Sequence, residues 1–151
     1  MGKLLGLDYG EKTVGVALCD TSASVPMPLE TIRRERENHL RKTLTRIEEL
    51  IFETKVHAIV VGLPLNMDGS EGERAEKARS FADKLTRRTG LPVYMQDERL
   101  TSVDAEKYIR ENYADGAKKA RKVKEEVDAV AAALILEDYL GKGKDDDKNI
   151  I

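Results

Sequence analysis

The run His57-Ala58-Ile59-Val60-Val61-Gly62 constrains this chain more than any other stretch. Its centre, Ala58 to Val61, is apolar without alternation, so a strand made from it is apolar on both faces. Strands of that kind lie inside parallel sheets with helices covering each side. The flanking sequence supplies such helices. From about Glu37 to Lys55, Leu40, Leu44, Ile47 and Ile51 recur at helical spacing, with Leu50 widening the stripe. After a turn-rich loop over 63–72, Ser70 and Glu73 have capping-box spacing, and the helix they predict carries Ala78, Phe81, Ala82 and Leu85 on one face as far as Gly90. Pro92 to Met95 then reads as another short strand.

The N-terminal third has a different pattern. Leu4 to Leu7 is a short apolar strand ending at Asp8, Asp8 to Lys12 is turn chemistry, and Thr13 to Leu18 predicts a second strand antiparallel to the first. Leu29 to Ile32 alternates like a third. Beyond the last strand, Thr101 with Asp104 predicts a helix through about Asn112. Tyr113 to Lys122 lacks periodicity and reads as a loop or flexible arm, and a final helix runs from about Val123 to Leu140. A meander followed by βα units implies an α/β fold: a mixed five-stranded sheet, antiparallel in its first three strands and parallel afterwards, with helices on both faces.

The length of 151 residues fits a single domain over 1–140, followed by a polar tail at 141–151 that is expected to be disordered. One cysteine excludes an internal disulfide framework, and two histidines make a zinc site a poor expectation. A net charge of −2 announces no global affinity for polyanions, which leaves local patches to decide. The first apolar run is too short for a signal peptide and no later run approaches a membrane span, so the expected compartment is the cytoplasm, with no membrane partner.

Ligands in open α/β sheets collect at the carboxyl ends of the parallel strands. Asp8 and Glu98 fall at such ends, and Asp128 lies near the predicted start of the final helix, ahead of a small-residue stretch that allows close approach to a sheet. Three carboxylates without His or Cys suit hard cations such as Mg²⁺ or Mn²⁺. A pair of such ions can activate water and stabilise the leaving oxygen in phosphodiester hydrolysis. Each acid also has a plainer reading: Asp8 as a turn former, Glu98 as a surface acid beside Arg99, Asp128 as a dipole partner in a first helical turn. Spacing by itself does not bring the three together.

Four blocks then occur in order. They are Leu5-Gly6-Leu7-Asp8-Tyr9-Gly10-x-Lys12-x-x-Gly15-Val16-Ala17, the stretch Gly62 to Glu71 (GLPLNMDGSE), Asp97-Glu98-Arg99-Leu100-Thr101-Ser102, and Asp128-x-x-Ala131-Ala132-x-Leu134-Ile135-Leu136. Together they span about residues 3–140 and closely resemble the YqgF family of bacterial ribonuclease H-like nucleases, also described as Holliday junction resolvases. The resemblance implies a ribonuclease H-like fold, an Mg²⁺- or Mn²⁺-dependent phosphodiesterase site with two ions when substrate is bound, and a role in maturing the 5′ end of pre-16S rRNA. The family's motif acids fall on Asp8, Glu98 and Asp128. The implied partners are nucleic acid, with pre-rRNA ahead of branched DNA, and the pre-ribosomal small subunit. The chain itself is expected to be a monomer or weak homodimer.

Lys118, Lys119, Arg121, Lys122 and Lys124 put five cations within seven residues and suit phosphate contacts, or simply a solvated basic loop. Lys12 and Arg99 flank the acids and have the same two readings. Met67 to Glu71 either lines a groove or forms a turn and cap. Asp97 is expected to point away from Glu98 on an extended segment. Asp20 suits a turn, and Cys19, His39 and His57 suit packing or surface positions.

Three rival functions compete with this reading. A sugar-kinase or actin-type phosphotransferase needs two large lobes, and this chain has room for one. A catalytically idle RNA-binding ribosome-assembly factor gains nothing from clustered carboxylates. A Holliday junction resolvase needs a dimer matched to the junction's two-fold axis, and no heptad seam or apolar stripe declares one.

Overall fold

The computed structural model describes residues 2–21, 25–98 and 120–149, with side chains of the last segment described over 127–141. Five strands, β1 (Lys3–Tyr9), β2 (Thr13–Asp20), β3 (Met27–Arg33), β4 (Ala58–Leu63) and β5 (Val93–Asp97), form one sheet in the order β3-β2-β1-β4-β5. The meander β1–β2–β3 is antiparallel, whereas β4 and β5 run parallel to β1, as the sequence pattern predicts. All six residues of β4 are buried, which is why its sequence does not alternate.

Strand alternation sorts the side chains onto two faces. Leu5, Leu7, Val14, Val16, Ile59 and Val61 pack under helices α1 (Arg41–Thr54) and α2 (Glu73–Thr89), against Leu44, Ile47, Phe81 and Leu85. On the opposite face Leu4, Ala17, Cys19, Ala58 and Val60 pack under helix α3 (Ala120–Asn149), against Ala132, Ala133, Ile135 and Leu136. Burying each large aliphatic chain contributes about 1.5–3 kcal/mol. The α3 face is made of smaller residues, and this lets the helix lie close to the strands.

Several element ends depart from the sequence pattern. Helix α1 starts at Arg41, not Glu37, because the Glu37 carbonyl accepts from Arg34 Nε (3.1 Å) and its carboxylate is held by Arg74 and Lys77. The Ser70–Glu73 capping box does not form. Ser70 N–H donates to Asp68 Oδ1 (2.9 Å) in a turn with Gly69 at φ 88°, and Gly72 is the N-cap of α2. Strand β5 continues to Asp97, paired with Leu63. Helix α3 begins at Ala120 and its backbone stays helical to Asn149, through the stretch whose polar composition predicts a tail. No proline follows Pro92, and Gly141 and Gly143 lower helix propensity by only ~1 kcal/mol each. The predicted helix over 101–112 and most of the predicted arm over 113–122 lie outside the described residues.

Candidate active site

Asp8, Glu98 and Asp128 line one cleft of about 580 Å³ at the carboxyl ends of β1, β4 and β5. Asp8 sits within the β1 ladder opposite Gly15, not in the turn that follows; that turn closes by Gly10 N–H donating to the Thr13 carbonyl (2.7 Å). By alternation Asp8 shares the α3 face with Leu4 and Gly6. Glu98 follows β5 directly, its N–H donating to the Leu63 carbonyl (3.1 Å). Asp128 lies more than two turns inside α3, so the helix dipole, which fades within the first turn, does not account for its place.

Close approach accounts for it instead. A Cβ built on Gly15 would stand 1.8 Å from the Asp128 carbonyl oxygen, and one on Gly62 would stand 2.7 Å from Glu98 Oε2. On Gly6 it would meet Leu136 at 2.5 Å and the Ala132 carbonyl oxygen at 2.9 Å. Three glycines on three neighbouring strands thus form the floor on which α3 and the Glu98 carboxyl rest.

Asp8 and Glu98 are hydrogen-bonded to each other. Burial, then the Asp8 charge, pushes the Glu98 carboxyl up to about 10. Burial, then the Asp128 charge, pushes Asp8 up to about 6, with the Glu98 hydrogen bond working against the rise. In the metal-free protein burial thus biases both carboxyls toward the protonated form, Glu98 more strongly than Asp8.

A cationic rim faces these acids. The first turns of α2 bring Glu73, Arg74 and Lys77 to the cleft, and the Arg74 charge favours ionisation of both Asp8 and Glu98. Burial works to raise the Glu37 carboxyl, yet it is held below its usual range because Arg74 Nη1 donates to Oε1 (2.8 Å) and Lys77 Nζ to Oε2 (3.1 Å). The Arg74 guanidinium also lies 5.8 Å from the centre of the Tyr9 ring, which stacks on Phe81 at 4.5 Å. Sequence reasoning missed Arg74 and Lys77. The available signal was two cations one helical turn apart at the start of a helix that follows a parallel strand.

The remaining predicted residues scatter. Lys12 lines a separate basic pocket with His39, and the acidic cleft takes Gly10 and Glu11 from the same turn. Arg99, Lys118 and Lys119 lie outside the described residues. Arg121, Lys122 and Lys124 fall on the first turns of α3, ahead of Asp128. Pro64 and Leu65 of the 63–72 loop reach the cleft, and the Asp97 charge adds to the upward push on Glu98. Cys19 is buried on the α3 face, and burial pushes its thiol up, away from nucleophilic use. His57 packs beside Gly2, at the opposite end of the sheet.

Among the described residues, no three His, Cys, Asp or Glu side chains converge tightly enough to hold a metal ion as they stand. The donor set nevertheless fits a hard divalent cation, since the half-buried Asp8 and buried Glu98 carboxyls are paired and Asp128 faces the same space. A cation held there would offset the mutual repulsion of the acids.

The sheet order and the acidic cleft define an α/β protein of the ribonuclease H-like class. Its fold resembles T. thermophilus RuvC in complex with Holliday junction substrate, with a TM-score of 0.56 at 15% identity over 95% of this chain and 97% of that one. It also resembles the Fowlpox virus resolvase in complex with Holliday junction DNA, with a TM-score of 0.51 at 12% identity over 91% and 98%. The family model described as "RuvX: Holliday junction resolvase" matches residues 2–142, and the chain belongs to that family. A relative from Agathobacter rectalis, named "Putative pre-16S rRNA nuclease", is 49% identical over 138 residues, covering 91% of this chain and 94% of its own length. One from Listeria monocytogenes with the same name is 44% identical over 138 residues, covering 91% and 96%.

Proposed function

We infer that this protein is a divalent-metal-dependent nuclease that hydrolyses phosphodiester bonds at the 5′ end of pre-16S rRNA, in the cytoplasm. The observation that carries this reading is the convergence of Asp8, Glu98 and Asp128 on one cleft rimmed by Arg74 and Lys77. An acidic floor suits cations and a basic rim suits the phosphates that come with them. The names of relatives 44–49% identical point to the same substrate.

In this reading Asp8, Glu98 and Asp128 hold Mg²⁺ or Mn²⁺, two ions when substrate is present. Bound there, such ions supply Lewis-acid activation of water and charge stabilisation at the leaving oxygen. Glu98, which burial holds toward its protonated form, would have to ionise to serve as a ligand. Arg74 and Lys77 orient the phosphodiester, and Glu37 fixes both cations so that little side-chain entropy is lost on binding. Lys12, Arg99, Lys118, Lys119, Arg121, Lys122 and Lys124 are proposed as further phosphate contacts.

The family description favours a second reading, resolution of four-way DNA junctions, which requires two copies with sites matched to the junction's symmetry. Cleavage of precursor rRNA and of a synthetic four-way junction, compared side by side with Mg²⁺, Mn²⁺ and EDTA, decides between them. Metal-dependent trimming of the rRNA is expected. Paired symmetric nicks in the junction alone would replace the first reading with the second, and cleavage of neither would leave a binding factor.

A further inference from the structure

A second concave site lies across the β1–β2 turn from the acidic cleft. It is a pocket of about 800 Å³ lined by five cationic side chains, Lys12, Arg33, Arg34, Arg41 and Lys42, with His39 and one acid, Glu35. The N-terminus of α1 opens on it. That terminus has no side-chain cap and no acid in its first turn, and its first two residues are Arg41 and Lys42. Cations at the positive end of a helix dipole are unfavourably placed unless an anion joins them.

Arg34 is the independent sign that an anion does. It is only 8% exposed, and its guanidinium lies 4.8 Å from the centre of the Tyr9 ring. Nε donates to the Glu37 carbonyl (3.1 Å) and Nη2 to the Gly10 carbonyl (2.5 Å), but Nη1 has no partner among the described residues. A buried guanidinium N–H without an acceptor is costly, because its hydration is lost and nothing replaces it. The two carbonyls it does hold belong to the segments that separate this pocket from the cleft.

We propose that this pocket is a phosphate subsite that grips the nucleic-acid backbone at a nucleotide remote from the bond being cut. The proposal deepens the nuclease reading and rests on it. The two sites share the β1–β2 turn, with Gly10 and Glu11 on the cleft and Lys12 in the pocket, so a single strand crossing the turn would touch both. The pocket then contributes substrate affinity and register without contacting the reacting atoms.

The test replaces exposed Lys12, Arg41 and Lys42 together by Gln, which removes charge and keeps much of the aliphatic stem. Binding of a labelled 20-nucleotide single-stranded RNA is followed by anisotropy in EDTA across a salt series. The triple variant should bind at least tenfold more weakly, and its log–log salt slope should flatten by about two, at roughly 0.7 for each phosphate that is no longer neutralised. A control replacing Lys3, Lys55 and Arg87, cations away from both sites, should change neither. Unchanged affinity and slope in the pocket variant, or an equal weakening in the control, would overturn the proposal. Wild-type cleavage of the same RNA with Mg²⁺ is scored separately. Cleavage with unaltered pocket-variant binding discards the subsite alone, whereas no cleavage with weakened binding discards the nuclease reading and keeps the backbone grip.

Discussion

The backbone of Asp128 rests directly on Gly15, with the place a Cβ would occupy only 1.8 Å from the Asp128 carbonyl oxygen. Gly15 is also the ladder partner of Asp8. One hydrogen for a side chain therefore sets how near the carboxylate-bearing helix comes to the carboxylate-bearing strand. Gly15→Ala must push α3 outward, because the obstructing atoms are backbone and cannot rotate away. We expect a loss of at least 1–3 kcal/mol in chemical denaturation, roughly as for other overpacked sites, together with weakened metal binding. Wild-type stability and metal affinity in that variant would remove Gly15 from the account of the site.

Neutralising the acids should separate catalysis from architecture. Asp8→Asn, Glu98→Gln and Asp128→Asn are each expected to slow cleavage at least about a hundredfold, in keeping with disruption of a metal-held transition state. Relief of carboxylate repulsion should leave the metal-free melting temperature unchanged or higher. A well-folded single variant with wild-type cleavage would strike that acid from the proposed site.

Metal-free stability should fall as pH rises. The folded pKa values of Asp8 and Glu98, about 6 and about 10, lie above those of the unfolded chain, near 4. Between these limits the folded state holds more protons than the unfolded state. Stability is fully present below about pH 4 as far as this pair is concerned, and declines upward by at most ~1.4 kcal/mol per pH unit for each retained proton. Melting in EDTA at pH 6 and pH 8.5 checks the sign, and Glu98→Gln should flatten the trend. Mg²⁺ or Mn²⁺ should raise the melting temperature more at the higher pH, where the proton competes less.

Arg74 is expected to act on substrate more than on stability. Its partner Glu37 is a quarter exposed, so the ion pair is worth about 1 kcal/mol at most. Arg74→Ala should raise KM severalfold, and Arg74→Lys should recover only part of it, because a point charge replaces a planar fork. Identical kinetics for wild type and Arg74→Ala would confine the residue to a structural role.

The sheet was legible because alternation and its absence are written into local composition. Non-alternating Ala58–Val61 announced a strand covered on both sides, and the pairing directions followed from a meander feeding βα units. Asp8 and Glu98 were legible as strand-end acids for the same reason. Local pattern failed where long-range contacts compete with it. The start of α1 moved because Glu37 is engaged by α2, and the capping box failed because Ser70 found Asp68 first. Arg34 carried no local signal, and the spacing of Arg74 and Lys77 showed only that they share one face of a helix start, since a cation there has the same periodicity whether it meets solvent or a carboxylate.

By itself, then, the sequence determined the five strands, their pairing directions and which acids lie near the ends of strands, because backbone sterics and apolar periodicity act over a few residues. The tertiary structure decided the rest. It stacked Gly6, Gly15 and Gly62 beneath α3, brought Asp128 over Gly15 from more than a hundred residues away, paired Asp8 with Glu98, and left Arg34 buried with an N–H that has no partner among the described residues. Those features arise from excluded volume and desolvation between segments remote in the chain, which no local pattern encodes.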